Sequence, residues 1–357
     1  MTDLVPDEMT PKERLRAFQE GRDYDRIPCN CLIGDHAAKL LGIGIGELHL
    51  SARNMAEAQL HAHRTYRTEG AGVGPGLPGI AEALGSRVAF PRDNAPYIGQ
   101  FAADDPRKLD SLTIPNPRRD GRLPLFLEAL QILLDELGEE LFVSAGLPGP
   151  FTTAANIRGT ENFLRDIHYN PELAHKTLRL ALDSTVVFVE EAGKLGVQFT
   201  IADPTASGSL ISPRHFQEFA LPYLQELVQA ILRTGAGRPS LHICGRTVKV
   251  WGSMADTGAG ILSLDNTVDL ADAKQAVGDR IALSGNVKPM ETMLLGTPDD
   301  VEEDVKACLR KAYDNPKGYI LALGCGLPPN SPPENIHALF ESARKYGRYP
   351  LNPENFS

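Results

Sequence analysis

His242 and Cys244 stand two apart in the segment SLHICGR, and Cys325 follows 81 residues later in GCGLPP. An imidazole nitrogen and two thiolate sulfurs are donors that suit zinc. Side chains two apart on a strand point to the same face. His242 and Cys244 can therefore grip one ion together, while Ile243 points the other way into packing. Such an ion would act as a Lewis acid or activate a bound nucleophile. Taken singly, each cysteine is as well explained as a small buried hydrophobe. The metal reading therefore depends on whether the fold carries Cys325 to the His-x-Cys pair, with a fourth donor from Asp265 or from a substrate.

The other cysteines are Cys29, Cys31 and Cys308. An odd, sparse count of five argues against a disulfide framework. Cys29 and Cys31 form a competing pair, with His36 in the loop behind them, but pocket lining suits them better. Cys308, in a helical run beside Val305 and Leu309, reads as core. Asp203 (IADPTASGS), Asp265 (ILSLDN) and Asn286 (IALSGN) also stand at or near expected strand ends. They are candidates for orienting substrate or moving a proton. Asp203, ahead of Pro204 and a run of small residues, is equally a cap-like brace. His61 and His63 are two apart on a helical segment, hence on different faces. His168, His175, His215 and His337 read as surface or capping residues. Cys31, His36 and Tyr97 are candidates for lining a pocket.

Eight short apolar or β-branched runs can position these residues: 27–33, 71–74, 141–145, 199–203, 240–244, 261–265, 281–285 and 319–324. Helical periods lie between them. Thr297 with Pro298 opens one helix, Ser331 caps the last, and Pro222 is placed to kink another. Strands alternating with helices predict a parallel sheet. Eight such units in this length predict a single (β/α)8 barrel domain over 1–357, with the barrel at about 26–346. It carries an N-terminal helical extension. A long loop over 87–113, with room for a hairpin, follows the second strand. An open doubly wound sheet is the alternative, but the glycine-rich segments at 42–46 and 70–76 follow no convincing strand and make poor phosphate loops.

The net charge is −10 and the pI about 5.4, which disfavours nucleic acid as a partner. No apolar run approaches the length of a membrane span. The opening MTDLVPDEMTPKERLRAF lacks an apolar export core, so a cytoplasmic location is expected.

Several segments carry a family resemblance: RLRAFQEGRDYDRIP, IADPTASGSLISPRHFQEFALPY, LHICG, LSLDNTVDLADAKQAVGDRIALSGNVKP and LLGTPDDVEEDVKACLRKA. Through them the chain resembles the uroporphyrinogen decarboxylase-like superfamily of (β/α)8 barrels, closest to its corrinoid-dependent methyltransferase branch. The resemblance implies that His242, Cys244 and Cys325 ligate zinc. Asp265, 21 residues beyond Cys244, stands near the acidic ligand of the similar cobalamin-independent methionine synthases. One departure is informative. The decarboxylases carry an arginine-rich MRQAGR-type stretch after the first strand, which holds propionates. Here that place reads CNCLIGDHAAKLL, so a substrate with eight carboxylates is not expected.

What the resemblance implies is a zinc-dependent transfer of methyl from a small methylated donor, foremost an aromatic methyl ether, to a corrinoid protein. The alternatives are methyl transfer from a methylcorrinoid to a thiol or to tetrahydrofolate, a uroporphyrinogen-type decarboxylase, and a non-catalytic corrinoid-binding barrel. The chain shows no Asp-x-His-x-x-Gly stretch, so cobalamin is expected on a separate partner protein. A homodimer is compatible with the sequence.

Overall fold

Along most of the barrel strands, small polar residues alternate with large apolar ones, so each strand has one face to pack and one to leave open. In the computed structural model, which describes residues 6–356, the strands are β1 Cys29–Asn30, β2 Gly70–Gly72, β3 Arg87–Ala89, β4 Tyr97–Gln100, β5 Phe142–Pro148, β6 Gln198–Ala202, β7 Ser240–Ile243, β8 Ile261–Leu264, β9 Ala282–Val287 and β10 Tyr319–Leu323. Residues 1–5, where the sequence was read for an export signal, lie outside the described residues, as does residue 357. Eight strands form one parallel sheet in the order β1-β10-β9-β8-β7-β6-β5-β2. Helices surround it, giving the expected (β/α)8 barrel. Each of the eight expected runs overlaps one barrel strand, with bounds shifted by one to three residues at several ends. Strands β3 and β4 pair antiparallel as a hairpin inside the long segment after β2.

The outward faces make the core. Leu241, Ile243, Leu262 and Leu264 are fully buried, packed between the sheet and the helices. The seam between β1 and β2 is bridged by a side chain. Glu69, one residue before β2, accepts the Cys29 N–H at 3.2 Å and meets the guanidiniums of Arg14 and Arg26.

The helix Pro11–Glu20 is the expected N-terminal extension. Thr10 and Glu13 close a reciprocal capping box at its start. It lies across the N-terminal end of the barrel. Lys12 N–H donates to Glu140 O (3.0 Å), just ahead of β5. Phe18 packs on Gly318, just ahead of β10, where an added Cβ would sit 2.5 Å from the ring.

Thr297 caps its helix as expected, in a capping box with Asp300. Two helix details differ from expectation. Ser331 is buried, and Pro332 takes the cap position of the last helix. The chain around Pro222 widens into a π-turn at Phe216–Ala220, before the helix Leu221–Arg233. No helix among the described residues is long and apolar enough to cross a membrane.

Candidate metal centre

Strand β7 delivers His242 on its inward face and Cys244 just past its end. The loop after β10 delivers Cys325. His242 Nε2 lies 3.2 Å from Cys244 Sγ, and Cys244 Sγ lies 3.8 Å from Cys325 Sγ. One donor atom from each of the three falls within 4.8 Å of the others. Two sulfurs bound to a tetrahedral zinc at about 2.3 Å stand about 3.8 Å apart. The spacing and the N, S, S donor set therefore fit that ion.

Backbone pairing orients the imidazole. His242 is in register with Ser263 on β8, and its Nδ1 lies 3.2 Å from Ser263 O and 3.1 Å from Ser263 Oγ. A carbonyl only accepts, so Nδ1 carries the proton and the Nε2 lone pair faces the sulfurs. The turn after Cys244 is held as tightly. Ser207 Oγ donates to Cys244 O (2.7 Å), and Asp265 Oδ2 accepts the Gly245 N–H (2.8 Å). Gly245 sits at φ +78°, and a Cβ there would crowd the hydroxyls of Ser207 and Ser209 at 3.0 and 2.9 Å. Only glycine suits this position.

The two thiols share a proton. The Cys244 thiol, hydrogen-bonded to the Cys325 sulfur, holds the Cys325 thiol below the usual thiol range. The same contact with Cys325, together with burial, pushes Cys244 up. Of the two sulfurs, Cys325 is the one favoured as thiolate.

The other expected site residues fall outside this cluster. Asp265 spends its second oxygen on the Thr267 N–H (2.8 Å), so both carboxylate oxygens brace backbone next to the site. Asn286 Nδ2 donates to Asp265 O (3.1 Å) and Val268 O (2.8 Å), and so holds the same loop. Asp203 has the geometry of a brace. It is fully buried, and its oxygens accept the N–H groups of Phe151 (3.4 Å) and Thr152 (2.7 Å) at the start of the helix Pro150–Arg158. Burial pushes its carboxyl up to about 6. Gly149, just ahead of that helix, leaves room for the brace: any Cβ there would collide with Asp203.

Cys29 is fully buried, and burial pushes the Cys31 thiol up to about 12. Both line the cavity below and apart from the cluster. His36 is buried, bonded to Pro329 O and Tyr66 Oη. Tyr97 is exposed on the hairpin. Neither borders the cavity. Sequence reading missed Ser263 and Ser207. For Ser263 the signal was present, as a lone serine between the leucines of ILSLD.

A cavity of about 490 Å³ fills the barrel lumen beneath the cluster. Barrel interiors are usually packed with bulky branched side chains. Here the inward positions include the small residues Ser144, Thr200, Ser240, Ser263 and Ala322 beside Phe142, Ile261 and Ile320, and the small ones leave the axis hollow.

A family model described as uroporphyrinogen decarboxylase (URO-D) matches residues 10–346. Methylcobamide:CoM methyltransferase MtaA of Methanosarcina barkeri is 28% identical over 95% of this chain and 99% of its own length. Methylcobamide:CoM methyltransferase MtbA of Methanosarcina acetivorans is 30% identical with the same coverage. A solved methyltransferase from Methanosarcina mazei superposes with a TM-score of 0.85 at 27% identity, covering 95% of this chain and 99% of that one.

Proposed function

The chain belongs to the uroporphyrinogen decarboxylase (URO-D) family, in its corrinoid methyltransferase branch, and from that premise we propose that it is a zinc methyltransferase passing methyl from a corrinoid protein to a small thiol. The observation that carries the reading is the convergence of His242, Cys244 and Cys325 at the head of a hollow lumen. The two curated relatives above are methylcobamide:CoM methyltransferases, and CoM is a thiol. That pairing favours thiol methylation over the aromatic methyl ether, which gains no support from them.

His242, Cys244 and Cys325 would hold the zinc. Zinc bound by such donors supplies Lewis acidity, which keeps a coordinated thiol deprotonated at neutral pH. Ser263 fixes the imidazole, and the Asp265–Asn286 pair fixes the turn that presents Cys244. The lumen, at about 490 Å³, has the size of a small-molecule site. A corrinoid with its nucleotide tail exceeds it. The corrinoid is therefore presented from the C-terminal mouth by a partner protein, while the thiol occupies the lumen. Transfer forms a carbon–sulfur bond and breaks the cobalt–carbon bond, whose electron pair stays on cobalt. The thiol proton leaves to water.

The test is zinc-loaded protein with methylcobalamin and 2-mercaptoethanol, followed by visible absorbance and by mass spectrometry of the thiol. Loss of the methylcobalamin spectrum with matching S-methyl product is expected. Methylation of Co(I) cobalamin by methoxybenzoate, with no reaction of thiols, would reverse the assignment.

Ser263→Ala should weaken zinc binding by about ten-fold, the lower range for a group that orients a ligating histidine. Competition with a chromophoric chelator reads this directly. Unchanged affinity would mean that the Ser263 carbonyl alone orients His242.

A further inference from the structure

We infer that the barrel is open at both ends, and that the small substrate reaches the candidate metal centre from the N-terminal face; this rests on the function proposed above. Barrel enzymes admit their substrates at the C-terminal face, so the claim is a departure, and it stands on three features of this molecule.

The cavity runs the length of the strands. Its lining begins at Gln198, Ser240 and Ile261, the first residues of β6, β7 and β8, and ends at Cys244 and Cys325. Ser240 to Cys244 alone spans about 13 Å at the rise of a parallel strand. The inward side chains Ser144, Thr200, Ser240 and Ser263 are only half-buried although they lie inside a barrel, while their outward neighbours Val143, Phe199, Leu241 and Leu262 are buried.

The N-terminal helix covers part of the lower end. It bonds ahead of β5 and packs ahead of β10, and Arg14 ties it to Asp25 and Glu69, ahead of β1 and β2. Those four strands, β5, β2, β1 and β10, are the half of the barrel around the seam. Gln19 on the helix and Arg238, two residues ahead of β7 on the other half, both line the cavity and are both exposed. Pro11 and Leu15 of the same helix line the cavity too, so the lower opening we infer lies in the gap between Gln19 and Arg238.

The reaction itself supplies the third argument. In a displacement at methyl carbon, the incoming sulfur and the departing cobalt lie on opposite sides of that carbon. A corrinoid seated on the C-terminal mouth blocks that route for a second reactant. A shaft from below delivers the thiol on the side away from cobalt. The shaft mixes hydroxyls with the apolar side chains Phe142, Ile261 and Ile320, and Arg238 stands at its foot, a lining that suits a slender thiol with a short apolar stem and an anionic end.

The test is Ser240→Cys in the zinc-loaded protein, treated with methyl or benzyl methanethiosulfonate and mapped by mass spectrometry. An open shaft predicts reaction of the introduced thiol within about ten-fold of the rate of an exposed thiol. The benzyl adduct should then weaken calorimetric binding of 2-mercaptoethanol at least ten-fold, with the methyl adduct and the zinc content unaffected. An unreactive introduced thiol in folded protein overturns the inference, as does a benzyl adduct that leaves binding unchanged. Should Ser240→Cys fail to fold, Gln198→Cys probes the same level. Should wild-type protein bind no thiol at all, the methyl-transfer reading fails, and the labelling rate still decides whether the shaft is open.

Discussion

Alanine at both Cys244 and Cys325 should take the zinc content from about one ion per chain to near zero, while the barrel stays folded. Two of the three converging donors are removed, and they are the two sulfurs. His242 alone is a weak ligand. The fold should tolerate the change because Cys325 is exposed and Cys244 only half-buried. Both lie beyond the ends of their strands, so truncation seals no cavity and the stability cost stays within about 1 kcal/mol. Methyl transfer should fall by about 10³ or more, since a Lewis acid supplies several kcal/mol and each 1.4 kcal/mol is ten-fold. Elemental analysis and far-UV circular dichroism, on variant and wild type purified alike, read both halves of the claim. Zinc retained in a folded variant would sink the ligand assignment. If the double variant misfolds, Cys325→Ser at the exposed position decides the same question.

The barrel was legible because its strands are spelled by alternation and its helices by caps. SLHIC, ILSLD and IALSG each set small or polar residues against leucine and isoleucine, and each became a strand. The convergence on Cys325 followed from topology, since β7 and β10 lie in one barrel and their ends share one mouth. What the sequence hid is of two kinds. The first strand was expected over 27–33, yet only Cys29–Asn30 pairs. Pro28 has no N–H to give a ladder, and the Cys29 N–H is taken by the Glu69 carboxylate rather than by β2. The strand-end carboxylates were the other difficulty. In one dimension Asp203 reads equally as a site residue or a brace, and Asp265 as a site residue or a fourth ligand. In three, Asp203 accepts two N–H bonds from a helix start 51 and 52 residues back, and Asp265 accepts one from Gly245, 20 residues back, and one from Thr267 in its own loop. Hydrogen bonding to distant backbone leaves no periodic trace.

The same seam carries the largest stability effect expected of a single substitution: Glu69→Gln should cost about 3–5 kcal/mol, the range for breaking a buried ion pair. Arg14 and Arg26 are both fully buried, and Glu69 is nearly so. Arg26 Nη2 lies 2.6 Å from one Glu69 oxygen, and Arg14 Nη1 lies 3.3 Å from the other. Asp25 and Asp7 complete the set, at 2.7 Å from Arg14 Nε and 2.8 Å from Arg26 Nε. Burial acts to raise the Asp7 carboxyl, but the Arg26 guanidinium outweighs it and holds that carboxyl down at about 2. Glutamine keeps the shape and removes the charge, leaving three guanidiniums, Arg344 at 3.5 Å from Asp7 included, facing two carboxylates. The Cys29 N–H would keep an acceptor, while the amide NH2 would face the Arg26 guanidinium, so the loss combines the ionic part with one hydrogen bond. Urea unfolding should show the lowered free energy, and limited proteolysis should cut faster around the helix Pro11–Glu20, which Arg14 pins to the seam. A loss below about 1 kcal/mol would mean that Asp7 and Asp25 suffice to neutralise both arginines, and that the seam is closed by packing rather than by charge.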